Sequence, residues 1–198
     1  TVNNNLFHEQ AVTVVAGPAD SITFTVLPAS MTAGVGEDLV ITVYDGFGNI
    51  ADNYTGTVEV INSDGAITEP LPHVFTSGQY TFVDGAYFET TGPQTIRVQD
   101  TVNNNLFHEQ AVTVVAGPPT SITFTALPAS MTAGVGQDLA VTVYDEFGNI
   151  ADNYTGTVEV INSDGAVTEP LPHVFTSGQY IFADGAYIET TGPQPIRV

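Results

Sequence analysis

The chain has 198 residues, with no cysteine, no tryptophan, no lysine and two arginines, Arg97 and Arg197, against 22 carboxylates, giving a formal charge of −20. Two cations cannot neutralise a phosphate backbone, which excludes nucleic acid as a partner. The lack of cysteine excludes disulfide scaffolds, thiolate metal sites and cysteine nucleophiles.

Only 12 % of residues are charged and 42 % are hydrophobic, so the chain carries the apolar content to fold despite its acidity. No apolar run approaches the roughly 18 residues that a membrane span needs, and the first residues lack the basic start and apolar centre of a signal peptide. No membrane insertion is expected, and the sequence reads as a soluble mature segment.

Along the chain, short runs rich in Val, Ile, Thr, Tyr and Phe alternate with period two between clusters of Gly, Pro, Asn and Asp. Strands are expected at 21–27, 38–45, 55–62, 73–76, 79–82 continuing to 86–89, 94–99 and 109–115. Alternation places Ile22, Phe24, Val26, Ile41 and Val43 on one face, with Thr on the other. No helical period is present. Seven short strands in about 100 residues, with turns such as Gly46-Phe47-Gly48-Asn49 and Ser63-Asp64-Gly65, give the pattern of an immunoglobulin-like β-sandwich without its Cys-Trp-Cys signature.

The whole pattern occurs twice. The opening TVNNNLFHEQAVTVVAGP returns at residue 101, and over 98 aligned positions only 12 differ. Most exchanges swap one small or strand-forming residue for another, as in Val26 and Ala126, Ile41 and Val141, Ile67 and Val167, and Phe88 and Ile188. Near-identical tandem modules are an ordinary way to build length or multivalency, whereas duplicated catalytic domains are uncommon. The first repeat carries a net charge of −11 and the second −9, so neighbouring modules repel and favour an extended rod.

The stretch AGVGEDLVITVYDGFGNIADNYTGTVEVINSDG, closed by GPQTIRVQD, resembles the Asp-x-Phe-Gly-Asn repeats of bacterial immunoglobulin-like domains, the group of the invasin and intimin stalks and of giant surface proteins. Its most specific piece is Tyr44-Asp45-Gly46-Phe47-Gly48-Asn49 followed by Tyr54-Thr55-Gly56. The resemblance implies tandem sandwiches in an extracellular cell-surface spacer, adhesin or fibre, with no catalytic residue to carry over. The run Pro70-Leu71-Pro72-His73 departs from the pattern at the connection to the fourth strand.

Taking Ala16-Gly17-Pro18 as a linker, residues 18–117 make one complete sandwich, 118–198 make a second without its final strand, and 1–17 are a solitary final strand. Two readings of this phase stay open. The run Glu9, Gln10, Ala11, Val12, Thr13, Val14 and Val15 completes the second sandwich of a neighbouring copy, head to tail, or the chain is a window of a longer array. Either way a sandwich short of an edge strand exposes unpaired backbone groups, each costing on the order of 1–3 kcal/mol when buried.

Site candidates are few. Asp45, Asn49 and Asp52, with Asp145, Asn149 and Asp152, are oxygen donors of the kind calcium takes, although Asp and Asn at such positions also hold turns through their own backbone. No cofactor is required by the sequence, and calcium is the one metal weighed. Asn53-Tyr54-Thr55 and Asn153-Tyr154-Thr155 are N-glycosylation sequons. Tyr44, Tyr54, Tyr80, Tyr87 and Phe47 offer aromatic surface for a glycan, which makes an adhesin or carbohydrate-binding module the competing reading. His8 and His73 stand in no catalytic motif, and no nucleophile elbow, zinc-protease helix, phosphate loop or dinucleotide fingerprint is present, so an enzyme is not expected.

Overall fold

A computed structural model describes residues 7–65, 72–124, 127–163 and 172–198. No described residue is helical. The first module comprises β1 (Ala19–Val26), β2 (Ser30–Thr32), β3 (Glu37–Asp45), β4 (Thr57–Asn62), β5 (His73–Val74), β6 (Gln79–Ala86), β7 (Gly92–Asp100) and β8 (Phe107–Val115). One sheet has the order β1-β3-β6 and the other β2-β8-β7-β4-β5. Their facing side chains form one core: Ile22, Phe24, Leu39, Ile41, Val43 and Phe82 from the first sheet meet Val58, Val60, Ile96, Val98, Val112 and Val114 from the second. This is an immunoglobulin-like β-sandwich, with the expected alternation of apolar-in and polar-out positions.

Three local features differ from expectation. Val26 is 58 % exposed, because the β1–β3 register slips between Phe24 and Val26 and turns the later residue outward. The strand expected at 79–82 and 86–89 is one continuous β6 that ends at Ala86, and Asp84 within it holds a left-handed φ of 51°. The short β2 was not anticipated. It pairs in parallel with β8, with Met31 opposite Val114, and buries Met31 in the core. His73–Val74 pairs with Thr57 and Val58 at the sheet edge, while Pro70, Leu71, Ile67, Val167 and Ala126 lie outside the described residues.

The second module repeats the plan with β9 (Ser121–Phe124), β10 (Gln137–Tyr144), β11 (Thr157–Val158), β12 (Ile161–Asn162), β13 (His173–Val174), β14 (Gln179–Ala186) and β15 (Ile196–Arg197). Its core is built on Leu139, Val141, Val143, Val158, Val160, Phe175 and Phe182. Residues 130–132, the counterparts of β2, take no strand conformation, and β15 is two residues long where β7 has nine. Pro195 stands where Thr95 does, and proline lacks an N–H and restricts the residue before it. The N–H of Thr95 donates to Ser63 Oγ, on the side of β7 away from β8. Pro195 therefore weakens the β12 side of its strand without removing a donor from the opposite side.

Candidate functional site: an open seam and a clamped linker

In the first module β8 closes the sandwich. It pairs antiparallel with β7 from Gly92↔Val114 to Gln99↔Phe107 and in parallel with β2, and it sends Val112 and Val114 into the core. The Arg97 guanidinium carbon lies 4.1 Å from the centre of the Phe107 ring, a cation–π contact across the same pair of strands.

At the corresponding place in the second module lies an open groove of about 790 Å³. Ser130, Met131, Thr132, Gly192, Pro193, Gln194 and Ile196 line it, and their first-module counterparts are the residues that β8 pairs with or covers. Its floor includes Phe124, Leu127 and Ile188. The opening shows in burial: Ile22 is 3 % exposed and Ile122 37 %, while Met31 and Ile96 are buried and Met131 and Ile196 are only half-buried.

Residues 7–15 have the same sequence as β8 and form no strand within the chain. All of them are exposed, with Val12 at 75 % and Val14 at 87 %. Donor run and groove lie in one chain but are not brought together within it.

The Asp-x-Phe-Gly-Asn loops have a different role from the seam. Asp45 Oδ1 accepts from the N–H groups of Phe47 and Asn49, each at 2.9 Å, and Oδ2 accepts from the N–H of Gly17 at 2.9 Å. The Asn49 amide faces both oxygens, at 3.3 and 3.0 Å. Asn53 completes the grip by donating to the Ala16 carbonyl at 3.1 Å. The second module repeats this on the linker between modules: Gly117 N–H donates to Asp145 Oδ2 at 3.1 Å and Asn153 to the Ala116 carbonyl at 2.9 Å. These loops hold their own turn and clamp the peptide that enters each sandwich.

The Asn49 amide, followed by the Gly17 N–H, lowers the Asp45 pKa to about 2. Burial pushes Asp145 upward, but the Asn149 amide and the N–H groups of Gly117, Asn149 and Phe147 outweigh it and hold it below the ordinary value. The N–H donors around Asp45 and Asp145 occupy lone pairs that a calcium ion would take, and Asp52 and Asp152 are exposed beside them. Among the described residues no group of three or more His, Asp or Glu side chains lies together. At both sequons the nitrogen that would carry a sugar is the one donating to the linker carbonyl. Of the aromatic residues considered for glycan contact, Tyr44, Tyr54, Tyr80 and Tyr87 are half-buried and Phe47 is 89 % exposed.

A second carboxylate site lies where the sequence clusters Asp100 with Asn103, Asn104 and Asn105, a run that reads as a polar hairpin loop between the last two strands. Asp100 is buried, accepts from Tyr54 Oη–H, and takes the N–H groups of Val102 and Asn103 at 2.7 and 2.8 Å, pinning the β7–β8 hairpin. Burial raises its pKa, and these donors bring it net below the ordinary value; burial and Asp100 together raise the Tyr54 hydroxyl.

No family model matches the sequence, and no curated protein matches it. Among solved structures, the Escherichia coli adhesin FdeC is similar at 18 % identity with a TM-score of 0.44, over 90 % of this chain and 65 % of that one. Yersinia pseudotuberculosis InvD is similar at 18 % identity with a TM-score of 0.42, over 91 % of this chain and 61 % of that one. Domains 5–6 of the S-layer protein SbsC are similar at 18 % identity with a TM-score of 0.35, over 90 % of this chain and 89 % of that one. The chain thus spans less than two thirds of the FdeC and InvD structures.

Proposed function

We propose that the chain is a structural module of an extracellular cell-surface stalk or filament, whose copies join head to tail by donation of a β-strand. The observation that carries this is the match between the second-module groove and residues 7–15. The groove is lined by the counterparts of the partners of β8, and residues 7–15 repeat the sequence of β8.

Inserted as β8 is, Val12 and Val14 would fill the space that Val112 and Val114 fill, and Phe7 would come beneath Arg197 as Phe107 lies beneath Arg97. Main-chain hydrogen bonds would supply affinity and the alternating valines register. The surface location rests on the resemblance of the Asp-x-Phe-Gly-Asn repeats.

The test uses the full chain and its Val12→Asp/Val14→Asp variant. Both valines are exposed in the lone chain, so the variant should fold as the parent does. The parent is expected to form fibres by electron microscopy and the variant to sediment as a monomer. A synthetic peptide of residues 7–15 should then raise the melting temperature of the variant, and a scrambled peptide should not. Fibres from the variant, or no response to the peptide, would remove strand donation.

A further inference from the structure

Within the chain the two modules meet at a joint separate from the β8 seam. The Phe147 ring lies on Gly34, where any Cβ would collide with it, and its edge meets Tyr87 with ring centres 6.5 Å apart at 83°. Gly34 has a φ of 78°, so two independent constraints favour glycine there. Asn149 fastens the same joint: its amide nitrogen donates to the Glu89 carbonyl at 2.6 Å and to Asp145 Oδ2 at 2.8 Å, and its oxygen accepts from the Thr91 N–H at 3.2 Å. Phe147 packs against the core of the first module.

Both halves of this joint recur elsewhere on the molecule. Phe47 and Asn49 stand on the corresponding loop of the first module, which carries Gly46 where the second carries Glu146, and Phe47 is 89 % exposed there. Gly134, with a φ of 77°, and Tyr187 stand at the counterpart of the receiving surface, and among the described residues the nearest atom to a Cβ built on that glycine is the Tyr187 hydroxyl, at 4.0 Å. An exposed phenylalanine held on a clamped turn has the form of a contact residue.

We infer that Phe47 and Asn49 of one copy dock on Gly134, Tyr187 and the backbone at residues 189–191 of a second copy, reproducing the joint that Phe147 and Asn149 make with the first module. The inference rests on the head-to-tail reading above but uses a different surface. Strand donation delivers residues 7–15 to the groove, the linker clamped by Asp45 follows, and Phe47 then meets the neighbour as Phe147 meets Gly34. The partner is a second copy because Phe47, Asn49, Gly134 and Tyr187 repeat the residues of a contact already made within the chain. Strand donation and the clamped linker join the copies through one peptide, and this joint adds a second contact that fixes their angle.

Four full-length chains separate the two surfaces: the parent, Phe47→Ala, Val12→Asp/Val14→Asp, and the triple variant, compared by sedimentation and electron microscopy. The expected result is straight parental fibres, Phe47→Ala fibres with a several-fold shorter persistence length, and monomers from the other two. Phe47→Ala fibres as straight as the parent's would overturn the joint and leave strand donation standing. Association of Val12→Asp/Val14→Asp that is lost in the triple variant would overturn strand donation and uphold the joint. A monomeric parent would overturn both. Phe47 is exposed in the lone chain, so loss of folding is not expected to confuse the outcome.

Discussion

The backbone N–H of Gly17 donates to Oδ2 of Asp45 at 2.9 Å across 28 residues of sequence, and Gly117 makes the same bond to Asp145. The acidic residue of the motif thus anchors the peptide that enters each sandwich. A linker held by its backbone to a carboxylate, and by an asparagine to its carbonyl, has less freedom than its Ala-Gly-Pro sequence suggests.

That bond makes the clamp acid-sensitive. The Asp45 pKa falls from 3.8 to about 2 on folding, so its contribution is complete above the ordinary value and is lost as pH falls toward 2. In that window the unfolded chain binds more protons than the folded one, and stability drops with pH. Asp145 and Asp100, also lowered, act in the same direction. Melting temperatures measured down from neutral pH should hold until about pH 4 and then decline, and Asp45→Asn should flatten part of the decline.

Gly34→Ala and Gly134→Ala share one backbone penalty, because both glycines have left-handed φ near the same value. Each should lose about 1–2 kcal/mol on that account. Only at residue 34 does a Cβ also strike Phe147. In the monomeric chain Gly34→Ala should show the larger fall in stability and a broadened distribution of interdomain distances by X-ray scattering, while Gly134→Ala should leave that distribution unchanged.

Tyr54→Phe removes the hydroxyl donor from buried Asp100. Leaving a buried carboxylate short of one partner should cost about 1–3 kcal/mol. Denaturant unfolding should place that loss in the first module, with faster amide exchange at Val102 and Asn103 beside the same carboxylate.

Met31 and Met131 are the same residue in a closed and an open sandwich. Met31→Ala should cost about 2–5 kcal/mol, as for other buried truncations, and Met131→Ala clearly less in the monomer, because that side chain is half in water. Adding the peptide of residues 7–15 should bring the two losses closer together. Equal losses without peptide would show that the second core is already closed.

Much of the fold was legible because β-sandwich strands alternate, and Ile22, Phe24, Ile41 and Val43 are buried as alternation requires. Val26 was misplaced because a bulge changes the phase of a strand without changing its composition. The three-residue β2 escaped notice because its pairing with β8 is parallel and distant, and nothing in Ser30-Met31-Thr32 marks it locally. The turn of Asp45 and Asn49 was readable, since both ends of its hydrogen bonds lie within four residues. The grip of Asn149 on residues 89 and 91 was not, because its partners lie 60 and 58 positions away and only the folded modules bring them together.

The contacts of Gly117 with Asp145 and of Phe147 with Gly34 are built from residues that recur every hundredth position. A joint repeated with identical contacts applies one rotation and one translation at each step, and successive applications trace a screw axis. Any side chain present once per module, such as the sequon asparagines, would then wind around the fibre on a helical path whose pitch is set by a single interface.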